Sequence, residues 1–218
     1  MSFSGAAKSA DIVLSNGYLT AGKSGGSGSW RGVLGSAPMP NSGKSYFELR
    51  IATLSGLTWF GIGTAAAALN ASPATGGAGT AYVYSSDGYR GDGSTATSYG
   101  STYSTGDVIG IAYDPVAGSL WFAKNNTWQA SGNPATGASP AFTGITGELF
   151  PLASLSGTAG AITVDIFDSG NQTYAPPSGF TAVNVPPFVN ASTERRAVFG
   201  NSMTAAAQAM AVAIGMRL

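Results

Sequence analysis

The sequence predicts an all-β domain, a sandwich or barrel of short antiparallel strands. Three observations carry that expectation. Apolar stretches of strand length recur up to residue 167, with turn residues between them every 8–12 positions or so. Residues 46–51, YFELRI, alternate with a period of two. Residues 106–129, GDVIGIAYDPVAGSLWFAKNNTWQ, read as two apolar strands, 108–113 and 119–123, around one turn. Asp114-Pro115 opens that turn and Ala117-Gly118 closes it. A second turn at Asn125-Asn126 leads to Trp128, and Asn tolerates the positive φ that tight hairpins require.

Taken in order, 11–14 and 18–21 are short strands around a Ser15-Asn16-Gly17 turn. The run GKSGGSGS, 22–29, is a flexible loop ending at Trp30. After Pro38, Pro40 and a turn at Gly43, the 46–51 strand puts Phe47, Leu49 and Ile51 on one face. Tyr46, Glu48 and Arg50 take the other, which describes a half-buried strand. Residues 57–63, LTWFGIG, form the next strand, with glycines that admit close backbone approach. Residues 65–69 suit one helical turn, 80–84 a strand, and 85–103 a long polar loop dotted with Tyr89, Tyr99 and Tyr103. A second long loop, 131–147, contains Pro134 and Pro140. Residues 149–155 and 161–167 close the domain; in the latter Ile162, Val164 and Ile166 alternate with Thr163, Asp165 and Phe167. In Trp59-Phe60 and Trp121-Phe122, one ring of each pair is expected in the core.

From Pro176 the composition changes, and Pro176, Pro177, Pro186 and Pro187 read as an extended connector. The chain thus divides into a β domain, 1–183, and a Pro-rich connector with a C-terminal extended or helical arm, 184–218. Within the arm, 201–214 is rich in helix-forming Ala and Met, with Asn201 or Ser202 as N-cap and Gly215 near the end. An isolated helix this short is marginal in water, so it calls for a partner surface.

Composition narrows the function. Ten Lys+Arg balance ten Asp+Glu, and charged residues make up 9% against about 25% in an average domain. Zero net charge lowers the colloidal stability of a free monomer and suits a chain held in an assembly, although abundant Gly, Ser, Thr, Asn and Ala also favour solubility. No basic field exists to attract a phosphate backbone, so no nucleic-acid partner is expected. There is no Cys and no His, which removes disulfides, thiol catalysis, the commonest general base and the commonest zinc ligands. The N-terminus lacks an apolar run of signal-peptide length, and 203–216 is too short and Ala-rich to span a bilayer, so neither secretion nor membrane insertion is expected.

Several motifs compete with plain structural explanations. Residues 17–24, GYLTAGKS, fit the P-loop pattern, but Gly25, Gly26 and Gly28 follow where a helix would have to start. Arg90-Gly91-Asp92 is an adhesion-type tripeptide that also fits an ordinary turn. Asp165 with Asp168, or Asp87 with Asp92, would be the carboxylate pairs of a carbohydrate-active enzyme; positions three apart near a strand end tend to opposite faces. Clustered Asp could instead hold calcium, while Asp114 is a turn former. Asn70, Asn125, Asn171 and Asn190 begin glycosylation patterns that an Asn-, Ser- and Thr-rich chain produces by coincidence. Loop Tyr and Trp give large contact areas at low entropic cost, and Arg195, Arg196 and Phe199 suit docking of the arm on another subunit.

The ordered set GKSYFELRI (43–51), WFGIG (59–63), YVYSSDGYRG (82–91), GDVIGIAYD (106–114), SLWFAKNNTWQ (119–129), ELFPLASL (148–155) and AITVDIF (161–167) resembles a SPRY domain, the core of the B30.2 module. The resemblance covers roughly residues 10–183, and Asn126 stands where the family usually has Gly. It implies a bent antiparallel β-sandwich that binds protein partners through loops at one end, without catalysis. The composition and the arm are similar to SPRY-like proteins of tailed bacteriophages. The expectation is therefore a non-enzymatic structural or interaction protein of a virion, in surface decoration, tail or fibre. It would associate with itself and other virion proteins, with host surface protein or glycan as a further partner. The alternative is a soluble recognition module for a peptide or host glycan. Candidate binding residues are Tyr89, Arg90, Asp92, Tyr99, Tyr103 and Trp128; Arg195, Arg196 and Phe199 are candidates for assembly. No catalytic residue, metal or cofactor is expected.

Overall fold

The structure, a computed structural model, describes residues 1–160, 163–167 and 170–183. The strands are β1 (Phe3–Lys8), β2 (Ile12–Ser15), β3 (Thr20–Lys23), β4 (Arg31–Gly35), β5 (Ser45–Thr53), β6 (Gly56–Gly63), β7 (Ala81–Ser85), β8 (Tyr89–Gly91) and β9 (Ala96–Ser98). They continue with β10 (Val108–Asp114), β11 (Ser119–Lys124), β12 (Thr127–Trp128), β13 (Phe150–Gly157), β14 (Thr163–Phe167) and β15 (Thr181–Ala182). One sheet has the order β1-β4-β13-β6-β7-β8-β9 and the other β12-β11-β10-β5-β14-β3-β2. Pairing is antiparallel except for β15, which runs parallel to β5 at Ser45 and Tyr46, just beyond the last β14 pair at Glu48. The expected all-β sandwich is present.

The central core lies between the sheets and includes Phe47, Leu49, Ile51, Phe60, Ile62, Tyr84, Ile111 and Phe122. Both outer faces are also covered. On the first sheet, Trp59, Val83 and Leu152 pack with Ala67 and Ala74 of the 64–80 connection. On the second, Tyr46, Ala112 and Trp121 pack with Phe180. The aromatic pairs therefore split, Phe inward and Trp outward, and all four rings are buried.

The expected β10–β11 hairpin is present, with Asp114 opposite Ser119 and Ile111 opposite Phe122. The Asp114 carboxylate accepts the N–H groups of Val116 and Ala117, both at 3.0 Å, and fixes the turn. The next turn pairs Lys124 with Thr127 across two residues. Asn125 and Asn126 have φ of 47° and 67°, the left-handed pair a two-residue hairpin loop requires, so Asn126 serves at a position that favours Gly.

Four expectations are corrected. Strand β5 is not half-buried over its first half: Tyr46 and Glu48 are enclosed as fully as Phe47. Residues that follow β14 cover this face, and the Glu48 carboxylate accepts the N–H groups of Thr173 at 2.7 Å and Tyr174 at 2.9 Å and the Tyr46 hydroxyl at 2.9 Å. The 65–69 stretch makes no helix. One N–H of Ala67 bonds Thr64, and the Leu69 carbonyl is taken by the Gly32 N–H and the Ser9 hydroxyl instead of a helical partner. Strands β1 and β4 were not expected, because FSGAAK and RGVLG offer too little alternation to be read. The polar 85–103 loop contains a hairpin, β8–β9.

The P-loop pattern folds as a turn and a strand. Asn16, Gly17 and Tyr18 turn with positive φ, 20–23 form β3, and no helix follows. Lys23 is buried and donates to the carbonyls of Ser29 at 2.6 Å and Gly157 at 3.0 Å, so it is spent on structure. Ile162, Asp168, the connector from Pro186, the assembly residues Arg195, Arg196 and Phe199 and the 201–214 stretch lie outside the described residues.

Candidate functional site

Hairpin β8–β9 ends the first sheet, and its turn is built by Asp92 and Gly93. The Asp92 carboxylate accepts the N–H groups of Ser94 at 2.9 Å and Thr95 at 3.0 Å. Burial alone would raise its pKa, but these N–H donors outweigh that and hold the carboxyl below the ordinary carboxylate value. Gly93 has φ of 89°, and a Cβ there would meet the Gly77 carbonyl oxygen at 1.8 Å, so only glycine fits.

Arg90 stands in β8 opposite Tyr84 on one side and Thr97 on the other. Its guanidinium lies over the rings of Tyr99, at 5.7 Å, and Phe142, at 5.5 Å. Its Nη1 donates to the Ala141 carbonyl, and its Nε to the Thr97 hydroxyl at 3.4 Å. The segment around Ala141 is itself held on β11: the Leu120 N–H donates to the Phe142 carbonyl at 3.1 Å, and the Ala141 N–H to the Leu120 carbonyl at 2.7 Å. Between hairpin and segment runs an open groove of about 370 Å³, lined by Arg90, Asp92, Thr95, Thr97, Pro140 and Phe142 among others. That volume lies in the range of ligand-binding clefts. The lining offers hydroxyls, one cation, one carboxylate and an aromatic wall, which suits recognition by hydrogen bonding and stacking.

The groove brings together only some of the expected binding residues. Arg90 and Asp92 line it, and Tyr99 supports Arg90 from below. Tyr99 packs edge-on to Tyr84 at 5.4 Å and Phe122 at 6.1 Å. Burial pushes its hydroxyl to about 12, although the Phe122 backbone and Arg90 pull the other way. Tyr89 is 43% exposed; alternation along β8 points it to the face opposite Arg90. Tyr103 is a correction. It is 3% exposed, its hydroxyl donates to the Tyr84 carbonyl at 2.8 Å, and its ring stacks on Phe60, so it is core. Trp128 packs against Tyr46 with ring centres 6.3 Å apart, on the outer face of the second sheet and away from the groove.

The carboxylates serve structure. Asp165 accepts from Thr20 at 2.6 Å and pairs with Arg50 at 2.7 Å, and Asp87 accepts from the Ser85 hydroxyl. The adhesion-type tripeptide has its arginine folded over two rings and its carboxylate in a turn. Among the described residues, no three carboxylates come together as a metal site would need. Thr95, Thr97, Pro140 and Phe142 went unread in the sequence. The alternation of STATSY, 94–99, and the apolar step 140–142 inside a Gly- and Ser-rich loop were the available signals.

The SPRY domain family model matches residues 44–166. The chain belongs to the SPRY family. SPRY domains generally serve as protein–protein interaction modules and are typically non-enzymatic. The crystal structure of the SPRY domain of human HERC1 superposes with a TM-score of 0.61 at 19% identity, covering 78% of this chain and 99% of that one. A second human SPRY domain gives 0.54 at 23% identity, covering 72% and 94%. At these identities the likeness concerns the fold. No curated protein matches the chain.

Proposed function

We propose that this SPRY domain is a non-enzymatic recognition module that takes a segment of a protein partner into the groove between β8–β9 and residues 140–143. The observation that supports this reading is Arg90, pinned between Tyr99, Phe142 and the Ala141 carbonyl so that one wall of the groove is held in place. A site whose side chains are already positioned loses less entropy on binding. The test is selection from a random peptide library, alongside a glycan array, on wild-type protein and on Thr95→Trp, which fills the groove from an exposed position. Binders lost in Thr95→Trp, with unchanged circular dichroism, support the groove; binders indifferent to it refute it.

The finer part of the proposal is the setting: a virion, with the β domain displayed and residues 184–218 joining it to neighbouring subunits. It is supported by the 9% charge content, the zero net charge and the Pro-rich connector. Deletion of residues 185–218 is expected to abolish oligomerisation or incorporation. A truncated chain that assembles normally overturns the role of the arm, and a full-length chain that is monomeric by light scattering overturns the assembly setting and leaves a soluble module.

A further inference from the structure

We infer that β9 is an acceptor edge: an extended segment of the partner protein adds to it as a further antiparallel strand, with one polar side chain lowered into the groove beside Thr97 and Arg90. The inference rests on the groove being a peptide site and specifies how the peptide is held.

Strand β9 ends its sheet. Its pairing with β8 uses alternate residues. The Asp92 N–H donates to the Thr95 carbonyl at 3.4 Å, and the Tyr99 N–H to the Gly88 carbonyl at 2.9 Å. These are bonded pairs of an antiparallel ladder, and the register makes Arg90–Thr97 the bonded pair between them. The N–H and C=O groups of Ala96 and Ser98 therefore point away from β8, and no hydrogen bond among the described residues engages them. All three β9 residues are exposed. Proteins ordinarily block such an edge with Lys, Pro, a bulge or a covering loop. Here the edge is Ala96, Thr97 and Ser98, small and uncharged. Strand β1, at the opposite edge of the sheet, ends in Lys8, whose ammonium is tied to the Ile12 carbonyl at 2.7 Å.

The chemistry of the guest follows from the face each residue would share. A guest residue opposite Thr97 lies on the same face as Thr97 and Arg90, which is the groove face. There it meets hydroxyls and the guanidinium, so Asp, Asn, Ser or Thr supplies the acceptor those groups can bond. Its two neighbours in the guest point the other way, beside Ala96 and Ser98, and need only accept an extended backbone. A second copy of the chain is a poor occupant. Edge-to-edge pairing offers three residues a side, against roughly 20–30 in a standard stable interface.

The test uses the full-length protein and a displayed random dodecapeptide library. Ser98→Pro removes an outward N–H and leaves the Arg90–Thr97 bonds in place, and proline is tolerated on an edge strand. Peptides enriched on wild type should carry a polar residue at a fixed position and slow amide exchange at Ala96 and Ser98. They should lose at least about tenfold in affinity for Ser98→Pro. The same loss should follow N-methylation of the peptide at the residues flanking the polar one, with the protein unaltered, so a folding defect in the variant cannot imitate it. Peptides that bind Ser98→Pro normally, tolerate N-methylation and leave Ala96 exchange unchanged, yet are lost in Thr95→Trp, overturn strand addition and keep the groove. Failure to enrich any peptide overturns both.

Discussion

Two hairpins of this domain have opposite fates. In β10–β11, every residue from Val108 to Ala123 that lies in a strand is buried, because the sheet is covered on both faces. In β8–β9, the outer strand is exposed throughout, and only Gly91 of the inner strand is buried. Both turns use the same device, an Asp accepting two N–H groups, Asp114 in one and Asp92 in the other. The turn chemistry is shared and the burial is not. A hairpin whose side chains are all engaged in packing has nothing left with which to bind. One whose outer strand is exposed keeps hydroxyls, an arginine and backbone groups for a partner.

Truncation should separate the hairpins most widely. Phe122→Ala removes a ring packed against Tyr84, Tyr99 and Phe142, and should cost about 3–5 kcal/mol in chemical denaturation. Thr97→Ala in the exposed hairpin should cost less than about 0.5 kcal/mol. A small loss for Phe122→Ala would mean that β10–β11 is less central than its burial implies.

The two turn carboxylates sharpen the contrast at intermediate size. Asp114→Ala should lower global stability by about 1–2 kcal/mol; Asp92→Ala should chiefly speed amide exchange in β8–β9, with little change in the global transition. Burial works to raise the Asp114 pKa, but the Ala117 N–H, Lys44 and the Val116 N–H prevail and hold it below the ordinary value of 3.8. A carboxylate with a depressed folded pKa contributes stability that is complete above its unfolded value and is lost as pH falls through the folded one. Acid unfolding of the wild type should therefore steepen below that value, and Asp114→Asn should flatten the same region of the pH profile.

The smallest effect concerns Asn126. With φ of 67° it occupies a glycine-favouring position, so Asn126→Gly should raise the thermal midpoint slightly, by the equivalent of about 0.5 kcal/mol. A lowered midpoint would show that the Asn side chain has a role in the turn beyond its backbone.

Burial also explains what could be read from the sequence. Strands β6, β7, β10, β11 and β13 were legible within a residue or two at most ends, because long apolar runs with Asp, Asn and Gly punctuation leave few alternatives. The Tyr-rich segment was not. Its residues between Ser85 and Tyr103 are mostly small and polar, and hairpin β8–β9 exists because Val83 and Tyr84 of β7 pair with Gly91 and Arg90, not because of local pattern. Tyr103 was misplaced for the same reason: nothing nearby announces that its N–H bonds Ser86 and carries the ring into the core. Arg90 and Asp92 stand in a legible tripeptide, but their groove partners Pro140 and Phe142 come from a loop some 50 residues away, and no local rule joins the two.

The burial of Glu48 has a consequence for how the domain is made. The carboxylate sits at 0% exposure, and two of its three partners are backbone N–H groups of Thr173 and Tyr174, 125 and 126 residues later. A buried carboxylate without those donors carries a heavy desolvation penalty. During synthesis, strand β5 is in hand early, yet the outer face around Tyr46 cannot close until residues 173 and 174 have left the ribosome. The nascent chain must therefore hold a water-facing Glu48 from the emergence of β5 until residues 173 and 174 follow, and the Tyr46–Trp121 surface stays uncovered until Phe180 arrives. Closing this face joins a segment near the end of the domain to a strand near its start.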